Sequence, residues 1–300
     1  MTKKNVLIVG ANGLIGSHLC RYLSSLSNQN LNIFTADIAG EADLIAPPFD
    51  IRCFSDFIPD HDISVVVNLA AVSSESRCQQ TPEFVNWMNV QFPCHLFEIL
   101  RANTTHTQFV HASTEWVYGD NVLIKQPSAP RDLTNNGLGL YAASKLESEI
   151  QLSSLATSYN NLSLLRLGIV YAFNDSRCNS FINKALEAAV NNKLFVCSSG
   201  SSARRYVSIG QVCSAFNRVI TATPSQAAYL ADVQGPELLT NEAILLLIKQ
   251  VFPNFRFQIN SSSTGPSVRD ILCTDDDNLE SFKFLDILRY TFGSSDAPPL

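Results

Sequence analysis

Tyr141 and Lys145 stand one turn apart in Tyr141-Ala142-Ala143-Ser144-Lys145, so on a helix their side chains share a face. A phenol with an ordinary pKa of about 10 is a poor base at neutral pH, but a nearby ammonium favours the phenolate and makes general acid or base work on a hydroxyl feasible. Such a pair also occurs by chance. Its weight comes from Ser113-Thr114, which follow the apolar run Gln108-Phe109-Val110-His111-Ala112. Hydroxyls at the carboxyl end of a central strand sit where open α/β sheets bind ligands, and either one could hydrogen-bond the oxygen being oxidised or reduced. Strand-end capping is their other use. His111, alone in an apolar strand, is read as structural.

A place for a dinucleotide comes earlier in the chain. Gly10-Ala11-Asn12-Gly13-Leu14-Ile15-Gly16 follows the strand-like run Asn5-Val6-Leu7-Ile8-Val9 and leads into Ser17-His18-Leu19-Cys20-Arg21-Tyr22-Leu23, which has helical periodicity. Glycines at a strand-to-helix turn let the backbone approach a pyrophosphate, whose charge the helix N-terminus favours. The spacing differs from the commonest fingerprint, Gly-x-Gly-x-x-Gly, and an ordinary tight turn is the bland alternative. A second apolar run, Leu31-Asn32-Ile33-Phe34-Thr35-Ala36, ends in Asp37. An acid about twenty residues beyond the glycines can accept both ribose hydroxyls of an adenosine, and it would repel a 2′-phosphate. No Arg or Lys lies between Asp37 and Arg52. NAD is therefore expected rather than NADP.

The elements that must position these groups follow from periodicity. Strand-like runs recur at Val65-Val66-Val67-Asn68-Leu69, Gln108–Ala112 and Ser163-Leu164-Leu165-Arg166-Leu167, with helical spacing between them. That alternation predicts an α/β fold, a doubly wound parallel sheet. Helices are expected over about 83–102 and 141–159, either packed on their own sheet or paired with a second subunit, and near 179–192. Another is expected after Leu238-Leu239, with Thr240 or Asn241 as its N-cap. Ser261–Pro266 reads as a loop and Gly293–Leu300 as a frayed tail. The 300 residues, 46% hydrophobic, suffice for a large core. A formal charge of −6 without a basic stripe argues against a nucleic-acid surface. Eight scattered cysteines with no Cys-x-x-Cys and no zinc spacing suggest reduced thiols and no metal site. No apolar run reaches the roughly 18 residues of a membrane span, so the chain is expected to be a soluble, unprocessed, cytoplasmic protein.

Taken in order, Gly10-x-x-Gly13-x-x-Gly16, Asp37, Asn68-Leu69-Ala70-Ala71, Asn89, Ser113-Thr114, Val117-Tyr118-Gly119, Tyr141-x-x-x-Lys145, Leu165-Arg166-Leu167-Gly168 and Gly200–Val207 resemble the extended short-chain dehydrogenase/reductase superfamily. The likeness is to its NAD-dependent epimerase/dehydratase branch, which acts on nucleotide sugars. The resemblance implies a Rossmann core over 1–170, to which 207–235 returns, and a small C-terminal α/β substrate lobe over 171–206 and 236–292, with 293–300 as a flexible tail. It also implies a homodimer and a catalytic set of Ser113, Thr114, Tyr141 and Lys145. The implied cofactor set is Gly10, Asn12, Gly13, Leu14, Ile15, Gly16, Asp37, Ile38, Asp50, Ile51, Leu69, Ala70, Ala71 and Asn89 with Tyr141 and Lys145. The implied substrate set is Ser73, Thr114, Glu115 and Arg204, the last on the nucleotide's phosphates.

Departures from the family pattern bear on the reaction. Its 4,6-dehydratases carry Asp-Glu after Ser-Thr, whereas this chain has Glu115-Trp116, which removes the second acid and argues against elimination of water. Ile169-Val170-Tyr171-Ala172-Phe173 replaces the usual Asn-Val-Tyr-Gly-Pro, and Arg205 and Gly210-Gln211 replace acids. The leading expectation is a nucleotide-sugar 4-epimerase. Alternatives are a 4-keto-sugar reductase using NADH or NADPH, which the Ser-Thr-Glu-Trp run somewhat resembles, and a dinucleotide-binding protein without turnover.

Overall fold

The computed structural model describes residues 3–26, 30–46, 49–103, 107–120, 122–156, 161–222, 229–260, 268–271 and 283–293. The expected loop at 261–266 and the tail from 294 onward lie outside them, as do residues 157–159 of the expected second helix. Helices are α1 Leu14–Ser25, α2 Ile51–Asp60, α3 Glu75–Gln80, α4 Pro82–Val85, α5 Phe92–Asn103, α6 Leu140–Leu155, α7 Phe181–Val190, α8 Ile209–Thr221, α9 Asn241–Val251 and α10 Phe284–Phe292. Strands are β1 Lys4–Val9, β2 Leu31–Asp37, β3 Leu44–Ile45, β4 Val65–Asn68, β5 Gln108–Thr114, β6 Val122–Ile124 and β7 Leu162–Leu167. They continue with β8 Ile169–Tyr171, β9 Leu194–Cys197, β10 Ala203–Ser208, β11 Tyr229–Val233, β12 Leu238–Thr240, β13 Arg256–Ile259 and β14 Arg269–Ile271. None of the described helices is long and apolar enough to cross a membrane.

Seven strands form one sheet in the order β11-β7-β5-β4-β1-β2-β3. Pairing is parallel from β3 through to β7, with Val9 beside Asn68, Asn68 beside His111, and Thr114 beside Leu167. This is the doubly wound Rossmann arrangement the alternation predicts. Every residue of β4 and β7 is buried, as parallel strands covered on both faces require. From β1 the chain builds outward to β2 and β3, then returns to lay β4, β5 and β7 on the other side. The loops after β1 and β4 therefore diverge, which opens a crevice at the carboxyl ends of those strands.

The chain divides into two compact units. The first comprises Met1–Gly119, Pro127–Leu167 and Val212–Asp232, and holds the large sheet. Its core includes Leu7, Phe54, Val66, Phe92, Phe97 and Phe109. The second comprises Asp120–Gln126, Gly168–Gln211 and Val233–Leu300. Within it β10 pairs antiparallel with β12 and parallel with β8, while β13 pairs with β9 and β14 with β6. Its core gathers Ile182, Leu186, Ile244, Ile248, Phe255 and Leu288. Thr240 is the N-cap of α9, accepting from the Ala243 N–H at 3.1 Å, which decides between the two caps expected.

The helix expected over 83–102 is not uniform. Between α4 and α5 the backbone widens into a π-helical turn, Asn86–Gln91. Pro93 accounts for it, because proline has no N–H to donate one turn back and its ring crowds the preceding turn.

Helix α6 is anchored to the sheet by a buried ion pair, Glu149 with Arg166 of β7, neither side chain exposed. Arg166 donates through Nε at 3.0 and 3.1 Å and through a terminal nitrogen at 2.6 Å. Its other terminal nitrogen reaches the Tyr118 hydroxyl at 2.6 Å and the Ser128 carbonyl at 2.8 Å. Arg166→Met leaves a buried carboxylate without its partner and is expected to cost about 3–5 kcal/mol. Arg166→Met with Glu149→Leu recovers part of that, as read from urea unfolding of both variants.

Candidate active site

The glycine turn is shaped by close approach. Gly10 has φ +83°, and a Cβ there would lie 2.8 Å from the Ala70 nitrogen in the loop after β4. A Cβ on Gly16 would meet the Gly10 carbonyl at 2.2 Å. Gly13 is the N-cap of α1, and no side chain caps that helix. Asp37 is almost wholly buried and held at both oxygens: Oδ2 accepts from the Asn12 N–H and Oδ1 from the Ile38 N–H, each at 2.7 Å. The Asn12 amide in turn donates to the Ala39 carbonyl at 2.6 Å. The ends of β1 and β2 are thereby locked together, with a carboxylate fixed between them.

These loops wall a cavity of about 510 Å³. Of the residues expected to hold a dinucleotide or its substrate, Gly10, Gly13, Asp37, Ile38, Leu69, Ala70, Ala71 and Ser73 line it. Phe49, Arg77, Gln80, Thr81, Phe84 and Met88 line it too, and sequence reasoning missed them. Asn12 lies in the glycine turn and Leu14, Ile15 and Gly16 open α1, and none of the four is among the lining residues. The structure does not bring Asp50 or Ile51 to the cavity. Asp50 is the N-cap of α2 and forms an ion pair with Arg52 at 2.5 Å, a hydrogen bond that holds its carboxyl below the ordinary value. Ile51 packs against the core.

Asn89, also expected to hold the cofactor, is not among the residues that line this cavity. It is fully buried in the π turn, where Oδ1 accepts from the Val72 N–H at 2.8 Å and Nδ2 donates to the Val72 carbonyl at 3.0 Å and the Ser144 hydroxyl at 2.9 Å. With both amide protons used, Asn89 holds the cavity's wall to α6 and does not line the cavity.

The proton-carrying groups come together on α6. Thr114 hydrogen-bonds the Tyr141 phenol, which pulls its pKa down, but burial dominates and pushes it up to about 12. Lys145 is lowered to about 8 by burial, against the opposing charge of Glu149. Side chains of neighbouring strand residues point to opposite faces, so Ser113 and Thr114 part company. The Ser113 hydroxyl donates to buried Glu149 and belongs to the ion pair's network, while Thr114 stays with the phenol. Tyr118, whose hydroxyl donates to Asp232 at 2.8 Å, extends that network, and burial raises Asp232 to about 6. Neither Glu149 nor Asp232 was foreseen. The signal available was Glu149 one turn beyond Lys145, together with an arginine inside an apolar strand.

His111 is buried beneath Lys145, with Nε2 3.1 Å from the lysine Nζ and 3.3 Å from the Ser148 hydroxyl. Asn68 accepts from the Ala70 N–H through Oδ1 at 3.2 Å, so its Nδ2, 3.1 Å from His111 Nδ1, must be the donor there. The ring proton then sits on Nε2. Burial and the nearby lysine charge hold this imidazole well below its ordinary pKa.

In the second unit, Arg204 approaches Asp120 Oδ1 at 3.2 Å and buried Arg269 approaches the same oxygen at 2.7 Å. Arg205 is paired with Asp270 at 2.6 Å. Arg269 was not among the expected residues, because its three-residue strand carries no motif. Glu115 is buried, and Trp116 is 43% exposed.

The family model of the NAD-dependent epimerase/dehydratase family matches residues 6–230. Among solved structures, the chain is similar to a UDP-glucuronic acid 4-epimerase from Bacillus cereus in complex with UDP-glucuronic acid and NAD. The two are 19% identical with a TM-score of 0.77, over 95% of this chain and 96% of that one. A UDP-Glc/GlcNAc 4-epimerase from Campylobacter jejuni matches at 17% identity and a TM-score of 0.76, covering 97% and 98%. A dTDP-glucose 4,6-dehydratase from Bacillus anthracis in complex with NAD matches at 17% and 0.75, covering 93% and 91%. At these identities the likeness is one of fold.

The geometry around His111 has a spectroscopic consequence. Nitrogen-15 NMR is expected to show His111 neutral and protonated at Nε2 from about pH 5 to 8, across the range where an ordinary imidazole titrates. A shift toward the imidazolium in that range would contradict the assignment.

Proposed function

Because the chain belongs to the NAD-dependent epimerase/dehydratase family, we propose that it is a nucleotide-sugar 4-epimerase working by transient oxidation at the sugar C4. The observation that carries this reading is the Tyr141 phenol, hydrogen-bonded by Thr114, with Lys145 one turn along the same helix. NAD supplies the reversible two-electron oxidation when bound, and its positive ring favours the phenolate. The residues present suit it: a glycine turn too tight for side chains, an uncapped helix start for the pyrophosphate, and a fixed carboxylate at Asp37 for ribose hydroxyls. That carboxylate favours NAD over NADP.

In this reading Tyr141 takes the proton of the 4-hydroxyl and later returns one, while Thr114 orients the same oxygen. Lys145, near 8, remains mostly ammonium at neutral pH and holds ribose hydroxyls beside the phenol. Ser113, committed to Glu149, serves by anchoring α6. Arg204 and Arg269 take the substrate's phosphates. Their support is the single Asp120 oxygen that both guanidiniums approach, a position suited to a phosphate oxygen. Trp116 offers no second acid, which leaves epimerisation favoured over dehydration.

The test is a panel of UDP-, GDP-, CDP- and dTDP-sugars incubated without added reductant. Reversible conversion of one sugar to its 4-epimer is expected, and stoichiometric consumption of NADH with a 4-keto sugar would replace this reading by a reductase. Tyr141→Phe is expected to lower kcat by at least about a hundredfold while NAD binding persists. Arg204→Met should raise KM by roughly tenfold or more, the worth of a charged hydrogen bond, with kcat little changed. Titration with both dinucleotides checks Asp37: NAD should bind more tightly than NADP, and equal affinity would refute its role.

A further inference from the structure

The phenol of Tyr141 sits at the least secure place a helix offers. Tyr141 is the second residue of α6, in the first turn, whose N–H groups have no partner inside the helix. Gly139, the N-cap, has no side chain to supply one, and the first turn of α6 contains no acid. A catalytic group on an unsupported first turn would fray with it.

The support comes from a distant segment. Glu75, the first residue of α3, accepts from the Leu140 N–H through Oε1 at 2.9 Å and from the Tyr141 N–H through Oε2 at 3.0 Å. Gln79, one turn along α3, donates to Glu75 Oε1 at 3.4 Å. The carboxylate lies so close to Gly139 that a Cβ there would be 2.7 Å from Oε2. Glycine at the N-cap is what lets the carboxylate seat itself. A negative charge at this position also suits the positive end of the helix.

We propose that Glu75 is a positioning residue: by bracing the two N–H groups that open α6, it fixes Tyr141 against Thr114. This inference rests on the reading of Tyr141 as the proton carrier, and it adds a residue that no motif marks. The hydrogen bonds of Glu75 go to Gln79 and to the backbone of α6, not to the phenol or to Lys145. Its effect passes through the backbone of residues 140 and 141.

The experiment uses the full chain with NAD present and three variants, Glu75→Ala, Glu75→Gln and Gly139→Ala. Amide hydrogen exchange at Leu140 and Tyr141 is read beside kcat and KM for the converted sugar. In Glu75→Ala those two amides should exchange roughly five- to tenfold faster, the effect of losing a cap, with kcat falling by a similar factor and KM within about twofold. Glu75→Gln should fall between wild type and alanine, since the amide keeps one acceptor oxygen and sets an NH₂ against the second N–H. Gly139→Ala, which displaces the carboxylate without removing it, should resemble Glu75→Ala and serves if that variant does not fold. Unchanged exchange at both amides in a folded variant overturns the proposal, as does equal turnover in Glu75→Ala and wild type. If no nucleotide sugar is converted by the wild type, faster exchange confined to residues 140 and 141 still supports the brace while the epimerase reading falls.

Discussion

A guanidinium and a carboxylate, both withdrawn from water, hold the first unit's site together. Removing Arg166 and Glu149 from solvent is costly, and their attraction offsets the cost only if the remaining donors and acceptors are met. They are met here by groups that matter elsewhere: the Ser113 hydroxyl on β5, the Tyr118 hydroxyl beyond it, the Ser128 carbonyl, and through Tyr118 the Asp232 carboxylate of β11. One pair thus ties α6 to three strands of the sheet. Tyr141, Lys145 and Glu149 follow one another at single-turn intervals, so fixing the azimuth of the last fixes that of the first two.

The same burial sets the electrostatics of the reaction. It pushes the phenol up to about 12 and the lysine down to about 8, so each group resists the charge that proton transfer asks of it. Two features of the chain oppose this. Thr114 stabilises the phenolate by a hydrogen bond, and Glu149 stabilises the ammonium by its charge. His111 works against the second, because an imidazole with its proton on Nε2 cannot accept from the lysine. The site is therefore tuned by opposed contacts, and the buried pair that anchors the helix also keeps Lys145 cationic.

Local patterns made much of this legible in the sequence. The glycine turn and Asp37 follow from a strand running into a helix and a second strand ending in an acid. Tyr141 and Lys145 follow from helical spacing, and the start of α9, though not the choice between Thr240 and Asn241 as its cap, from polar residues before an apolar run. What escaped depends on groups far apart in the chain: Glu75 on α6, Arg166 on Glu149, and Arg269 beside Arg204 on Asp120. Periodicity describes one element at a time and says nothing about which elements meet. Asp50 shows the converse. The family resemblance implied a cofactor contact there, and what the structure shows is its carboxylate capping α2 and paired with Arg52, an arrangement only two residues long that no motif marked. Asn89 is buried in the π turn, with its amide engaged by Val72 and Ser144.

Fold alone does not choose the chemistry, since 4-epimerases and a 4,6-dehydratase share this architecture. The choice falls to side chains at the carboxyl end of β5. Epimerisation needs one hydroxyl proton removed and returned, the role proposed for Tyr141 with Thr114. Elimination of water needs in addition an acid for the departing hydroxyl and a base for the carbon-bound proton. After Thr114 this chain offers one carboxylate, Glu115, which is buried, and then an indole that is 43% exposed and carries no ionisable proton at neutral pH. An apolar ring where a second acid would act can shape a sugar's surroundings but cannot transfer a proton. In the proposed reading, the residues of β5 and α6 equip the site for one reversible proton transfer at a single oxygen, and that matches inversion at C4 better than loss of a hydroxyl.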